Sequence, residues 1–179
     1  MTNTWFTSDT HFGHKNIISY CDRPFNKLYH MDTTIIKRFN ERIKPDDTVF
    51  FLGDFCFRNS PGGKDGEGTT NNAKHYLDQL NGSWIFIRGN HDNNNSLKTI
   101  IESLIIHSCG RDIYLCHNPE NVNEDFEINL VGHIHEKWKF KKLSKKSYMI
   151  NVGVDVNNFY PKKLSELLNE FEKWKKGEK

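Results

Sequence analysis

Apolar and polar positions divide this chain into short segments that repeatedly end in the same kind of polar turn. Thr4–Thr7, Thr48–Leu52, 84–87, 112–116, Ile128–Val131 and 148–152 are apolar or β-branched runs bounded by glycine or polar residues, and each predicts a strand. Ile35, Ile36, Phe39 and Ile43 share one helical face, and Lys44-Pro45-Asp46-Asp47 predicts the stop. Tyr76, Leu77 and Leu80 mark a shorter helix closed by Asn81-Gly82. Leu97, Ile100, Ile101, Leu104 and Ile105 predict another, with Asn95 or Ser96 as its cap. A last helix carries Leu164, Leu167, Leu168, Phe171 and Trp174 on one stripe, and Pro161 suits its first position.

The first half thus alternates strand and helix, and the second is strand-rich before a closing helix. An α/β (α+β) arrangement of two sheets packed face to face, with helices outside, fits that order. Residues 58–70 (RNSPGGKDGEGTT) read as a glycine-rich loop placed to reach over a site as a lid, or as a plain surface loop. The lysine-rich residues 138–146 lie between two strands and read as an exposed hairpin end. No internal repeat is present.

A chain of 179 residues supports one core, so 1–179 is expected to be a single domain. No apolar run approaches the ~20 residues of a membrane span. The start, MTNTWFTSD, lacks a basic stretch followed by an apolar one, which predicts a cytoplasmic protein with no membrane partner. The net charge of +2 falls short of the basic footprint of a dedicated nucleic-acid binder. Cys21, Cys56, Cys109 and Cys116 form no C-x-x-C pair, which argues against a zinc ribbon and for reduced, mostly buried thiols, one disulfide staying open.

The chemistry lies at the strand ends. Asp9-Thr10-His11 follows the first strand, Gly53-Asp54 the second and Gly89-Asn90-His91-Asp92 the third. His117 ends the fourth, and Gly132-His133-Ile134-His135 follows the fifth. In an extended segment, residues two apart face the same side, so Asp9 with His11 and His133 with His135 are expected to face one cluster. Asn90 and His91 are adjacent and diverge, which suits one metal ligand beside one substrate-facing group. Gly53, Gly89 and Gly132 each precede a candidate ligand, where a missing Cβ permits a sharp turn. Any one motif alone is commonplace, whereas five in order at strand ends point to one metal site.

In these motifs the chain resembles the calcineurin-like metallophosphoesterases, whose pattern is D-x-H, G-D, G-N-H-D, a separate histidine and G-H-x-H. It looks closest to their small single-domain bacterial and phage members, which begin with a segment like FTSDTHFGHKNII. The resemblance implies a four-layer αββα sandwich of two mixed sheets flanked by helices. It implies one metal on Asp9, His11 and His135, another on Asn90, His117 and His133, and Asp54 as the bridge. His91 matches the histidine that contacts substrate and assists the leaving group, with Asp92 as its partner.

Two dications bring four positive charges and the two carboxylates supply two negative ones, leaving a net positive centre that attracts phosphate. The expected activity is binuclear metal-dependent hydrolysis of phosphomonoesters or phosphodiesters by in-line attack of a metal-bridging hydroxide. N/O ligation without thiolate suits Mn²⁺, Fe, Zn²⁺, Co²⁺ or Ni²⁺, with Mn²⁺ the first candidate by resemblance. His14, beside the start of a short helix, is a candidate phosphate contact, and Arg23 a weaker one; the plain alternatives are a packed histidine and a solvated arginine. The lysines of 137–146 either protect an exposed sheet edge, the favoured reading, or serve a nucleic acid. The alternatives to a phosphoesterase are a metal-dependent nuclease and a non-catalytic binding module on the same fold. Oligomeric state is left open.

Overall fold

Alternate residues of β2 (Thr48–Leu52) enter two different cores. Val49 and Phe51 join one cluster, while Leu52 and its neighbour Phe50 join another. A strand apolar on both faces must be covered on both, and this sets the layering. The computed structural model describes residues 2–57, 67–69, 71–92 and 96–178.

β1 (Thr4–Thr7), β2 and β3 (Ser83–Ile87) pair in parallel, and a two-residue β9 (Lys162–Lys163) runs antiparallel along β1. A second mixed sheet has the order β4 (Ser103–Ser108), β5 (Arg111–Cys116), β6 (Ile128–Val131), β8 (Tyr148–Asn151), β7 (Phe140–Lys142). Between the sheets lie Phe6, Leu52 and Ile87 from one side and Ile113, Leu115, Ile128, Leu130 and Ile150 from the other. The helices flank this sandwich. α2 (Leu28–Arg42) buries Met31, Ile35 and Phe39 on the outer face of the first sheet, and α4 (Leu164–Lys175) adds Leu167 and Phe171 to the inter-sheet cluster. α1 (Ile17–Tyr20) and α3 (Ala73–Leu77) are short, and Asn72 caps α3 by accepting from His75 N at 3.1 Å. None of the described helices is long and apolar enough to cross a membrane.

The expected helix does not form over 97–105: Ile101 makes a single parallel bridge to Ile87, and the chain from Ser103 onward is β4. The apolar density of the segment fits both templates, and long-range pairing decides between them: Ser103–Ser108 zips against β5 through a two-residue turn. That turn, Cys109-Gly110, has φ of 53° and 72°, the left-handed pair that matches strand twist in tight hairpins. Leu104 and Ile106 then pack inward while Ile105 is exposed. Ser96, one expected cap, uses its hydroxyl to accept from Ala73 N (3.0 Å), and Asn95 lies outside the described residues. Pro161 does not open α4, because Lys162 and Lys163 first pair with β1; Glu166 closes the helix start by accepting from Lys163 N at 2.8 Å. The hairpin around 138–146 is β7–β8, with β7 an edge strand. Cys21, Cys56 and Cys116 are buried free thiols, and Cys109 is exposed and free.

α2 is also tied to the loop after β1. Asp32 accepts from Gly13 N (3.2 Å) and from the Tyr76 hydroxyl (3.4 Å). Burial, against those two hydrogen bonds, pushes its carboxyl from 3.8 up to about 7. The folded chain therefore holds a proton the unfolded chain releases, and the contribution of Asp32 to stability is expected to fall as pH rises from 3.8 to about 7. In Asp32→Asn that decline disappears, read as urea midpoints across this range. A profile parallel to that of the unsubstituted protein would refute it.

Candidate metal centre

The candidate residues leave the C-terminal ends of parallel strands, where α/β sheets present their ligand sites. Asp9 and His11 follow β1, Asp54 follows β2, Asn90 and His91 follow β3, His117 follows β5, and His133 with His135 follow β6. Backbone hydrogen bonds lace these loops together: Asp9 N to Gly53 O (3.0 Å), His11 N to Asp54 O (3.1 Å) and Gly132 N to His117 O (2.9 Å). Val154 N to Ser8 O (3.1 Å) joins the two sheets at the same end.

The loops are not extended, as the spacing of Asp9/His11 and His133/His135 suggested. Asp9 (φ 59°), His11 (48°), Asp54 (61°), His133 (72°) and His135 (47°) all adopt the left-handed conformation. Asp and His enter it more readily than most residues, yet each instance costs about 1–3 kcal/mol unless the surroundings fix it. Here the surroundings do. Asp9 accepts from His133 N at 3.0 and 3.1 Å and from Ser8 Oγ at 2.5 Å, and Asp54 Oδ1 accepts from His91 N at 2.9 Å. Gly53 does turn left-handed (φ 89°), but Gly89 and Gly132 serve close approach: a Cβ would lie 2.2 Å from Asp54 Oδ1 and 2.7 Å from Asp9 Oδ2 respectively.

Two clusters result. The ligand atoms of Asp9, His11 and His135 lie within 4.8 Å of one another, and so do those of Asp54, His117 and His133. Asn90 Oδ1 sits between His117 Nε2 (2.9 Å) and His133 Nδ1 (2.7 Å). Asp54 Oδ2 is 3.3 Å from His117 Nε2 and 3.6 Å from His11 Nε2, so it stands between the clusters. Metal–nitrogen and metal–oxygen bonds of about 2.1 Å place neighbouring ligand atoms about 3 Å apart, the spacing found here. His11 Nε2 is buried without a hydrogen-bond partner, a costly state for a ring nitrogen unless an ion takes it. The residues therefore fit divalent ions.

The electrostatics agree. Burial opposes ionisation of Asp54, yet the His117 hydrogen bond and the nearby imidazoles hold its carboxyl below the usual range. Burial raises Asp9 despite His117 and His135. Burial also works against protonating His117 and His135, but the Asp54 contact lifts the first to about 9 and the Asp155 contact lifts the second to about 10. His11 goes well below its ordinary value through burial, and burial takes His14 to about 4. Buried carboxylates here draw positive charge into their surroundings, which a dication supplies more fully than an imidazolium.

Arg23 is not presented to substrate. Its guanidinium is buried and donates from Nε and Nη2 to Asp155 (2.8 and 3.0 Å), from Nη1 to Thr10 O (2.9 Å) and from Nη2 to Asp9 O (2.7 Å). Asp155 in turn meets His135 Nδ1 at 3.0 Å. Arg23 thus holds the left-handed loop after β1 and, through Asp155, orients a candidate ligand, as carboxylate partners of ligating histidines do. The sequence motifs give Asp155 no role. Cys21 gathers with His135 and Asp155, but that carboxylate is already ion-paired.

His14 lies in the cleft beside His11, ring centroids 5.6 Å apart. The helix that follows it has only four residues, too few to act as an anion site of its own. Asp92 is 1% exposed and accepts from Asp54 N (2.7 Å), Gly89 N (3.0 Å) and Phe55 N (3.3 Å), which welds the loops after β2 and β3. Of the 58–70 loop, 58–66 and 70 lie outside the described residues; Lys15 N donates to Glu67 O (2.8 Å) and Thr69 N to Gly13 O (2.8 Å). The cleft over the two clusters has a volume of about 330 Å³ and is lined by His11, His91, His133 and His135 among others.

The family model described as calcineurin-like phosphoesterase matches residues 2–173. Uncharacterized protein MJ1445 of Methanocaldococcus jannaschii is 36% identical over 182 residues, covering 98% of this chain and 94% of the relative. The Gene 66 protein of Mycobacterium phage L5 is 35% identical over 95 residues, 51% of this chain and 41% of the phage protein. In fold, the protein of unknown function AQ665 from Aquifex aeolicus matches with a TM-score of 0.70 at 24% identity, covering 94% of this chain and 99% of that one. With the family model running almost from end to end, the chain belongs to the calcineurin-like phosphoesterase family.

Proposed function

We propose that this protein hydrolyses phosphomonoesters or phosphodiesters with two divalent ions, Mn²⁺ the first candidate. Asp9, His11 and His135 would hold one ion, Asn90, His117 and His133 the other, with Asp54 placed to serve both. The carrying observation is the position of Asp54 Oδ2, within 3.6 Å of a ring nitrogen from each cluster. Two such ions when bound supply an activated water and offset charge on the phosphoryl oxygens.

The chain's own residues do the rest. Asp92 and Arg23 fix the loops, so the ligand atoms converge before substrate arrives. His91 lies at the cleft, its ring 5.5 Å from that of His11 and its backbone N–H anchored on Asp54. Placed there, its ring N–H can donate to the departing oxygen. His14, lining the same cleft, offers a neutral imidazole to a phosphoryl oxygen. The basic hairpin has a structural explanation that leaves nuclease activity unfavoured. β7 is an edge strand, Lys139 pairs with Glu170, and Lys141 lies over the Trp138 ring.

His91→Ala tests the assignment. Turnover of bis-p-nitrophenyl phosphate with Mn²⁺ is expected to drop about a hundredfold or more, with metal content unchanged. Undiminished turnover with full metal would remove His91 from the chemistry.

A further inference from the structure

The wall of the cleft carries information about which ester it accepts. Ile17, Tyr20 and Cys21 fall at i, i+3 and i+4 around the turn that forms α1, and all three line the cleft. Ile17 and Cys21 are buried, whereas Tyr20 is 66% exposed. The wall thus runs from an apolar base to an aromatic lip. Tyr20 meets the His14 ring edge to face, with centroids 6.1 Å apart and planes at 77°, and His14 in turn lies 5.6 Å from His11. An edge-to-face pair engages at most one face of the phenol ring.

The same cleft is lined by His11, His133 and His135 of the two clusters, so an ester group on a phosphate held there would have this wall beside it. Ile134 and the exposed Glu136 and Lys137 complete the lining. Arg23, the nearest guanidinium in sequence, is committed to Asp155 and two backbone carbonyls. A flat ring meets what the wall offers: apolar contact below and an aromatic face above. The volume of about 330 Å³ is at the small end of ligand sites and suits one nucleoside better than a strand.

We propose that the cleft selects phosphodiesters carrying a planar ring near the phosphate, as a nucleoside does, with Tyr20 as the stacking platform. This rests on the phosphoesterase reading above and adds a substrate class to it. Stacking of a base on an aromatic side chain changes affinity by roughly tenfold to a hundredfold. Its loss falls on KM, because the ring stays remote from the reacting atoms.

The test compares the methyl ester of thymidine 5′-phosphate with its abasic counterpart, in which only the base is replaced by hydrogen. The reacting phosphodiester is the same in both. With the manganese-loaded protein, kcat/KM is expected to favour the nucleoside ester by about tenfold or more. Tyr20→Ala should reduce that ratio about tenfold through KM, and Tyr20→Phe should keep it. A ratio near one in the unsubstituted protein, or an unchanged ratio in Tyr20→Ala, overturns the proposal. Calorimetric titration with thymidine 5′-phosphate and its abasic counterpart repeats the comparison without turnover. If neither ester is cleaved, the phosphodiesterase part of the reading fails; a Tyr20-dependent binding preference still upholds ring selection, and equal affinities overturn it.

Discussion

Asp54→Asn is expected to lower kcat about a thousandfold and to reduce the metal content of the purified protein, the largest effect of any single change considered. The reason is charge and position together. Among the described residues, Asp9 and Asp54 are the carboxylates of the two clusters, so neutralising one halves the negative charge they set against two dications. Asp54 is also the group whose Oδ2 faces a ring nitrogen in each cluster, at 3.3 and 3.6 Å. The amide is close to isosteric, and its oxygen can still accept from His91 N, so the loop is expected to stay in place. Circular dichroism should therefore match that of the unsubstituted protein while elemental analysis and turnover do not. Full metal content with near-normal turnover would dismiss Asp54 as the bridge.

The second large effect concerns stability. Arg23→Met leaves the Asp155 carboxylate buried without its guanidinium and strands the carbonyls of Asp9 and Thr10. Removing one partner of a buried ion pair costs about 3–5 kcal/mol. For a chain of this size, that is a fall in melting temperature of roughly 10 °C. Adding Asp155→Asn should restore part of the loss, because the uncompensated charge is gone. The sequence suggested a different role for Arg23, contact with a substrate phosphate, and the two separate cleanly. A substrate arginine, when removed, raises KM and leaves the melting temperature alone. A clamp lowers the melting temperature and loosens metal binding at His135. The first pattern would refute the structural role.

Arg23 also shows why some of the centre was legible in the sequence and some was not. Arg-Pro-Phe reads as an exposed loop because nothing local says which way the guanidinium turns. Asp155 stayed unassigned for a related reason. It is twenty residues from His135, and the two meet only because β6 and β8 pair in register and bring their following loops together. β4 was missed differently: 97–105 is apolar enough for either periodicity, and the Cys109-Gly110 turn that commits it to a hairpin lies beyond the run itself.

The sequence by itself determined which strands end in which ligand types, and hence the family resemblance, fold class and candidate ligand set. Strand period and the donor chemistry of Asp, Asn and His are local properties that survive without coordinates. Tertiary structure decided how those side chains converge. Asp9, His11, Asp54, His133 and His135 reach one another through left-handed backbone, which spacing along an extended chain could not indicate. Gly89 and Gly132 are small because carboxylates from other loops pass where a Cβ would be. Such strained conformations and close approaches persist only when loops from both sheets brace one another, and that bracing is long-range.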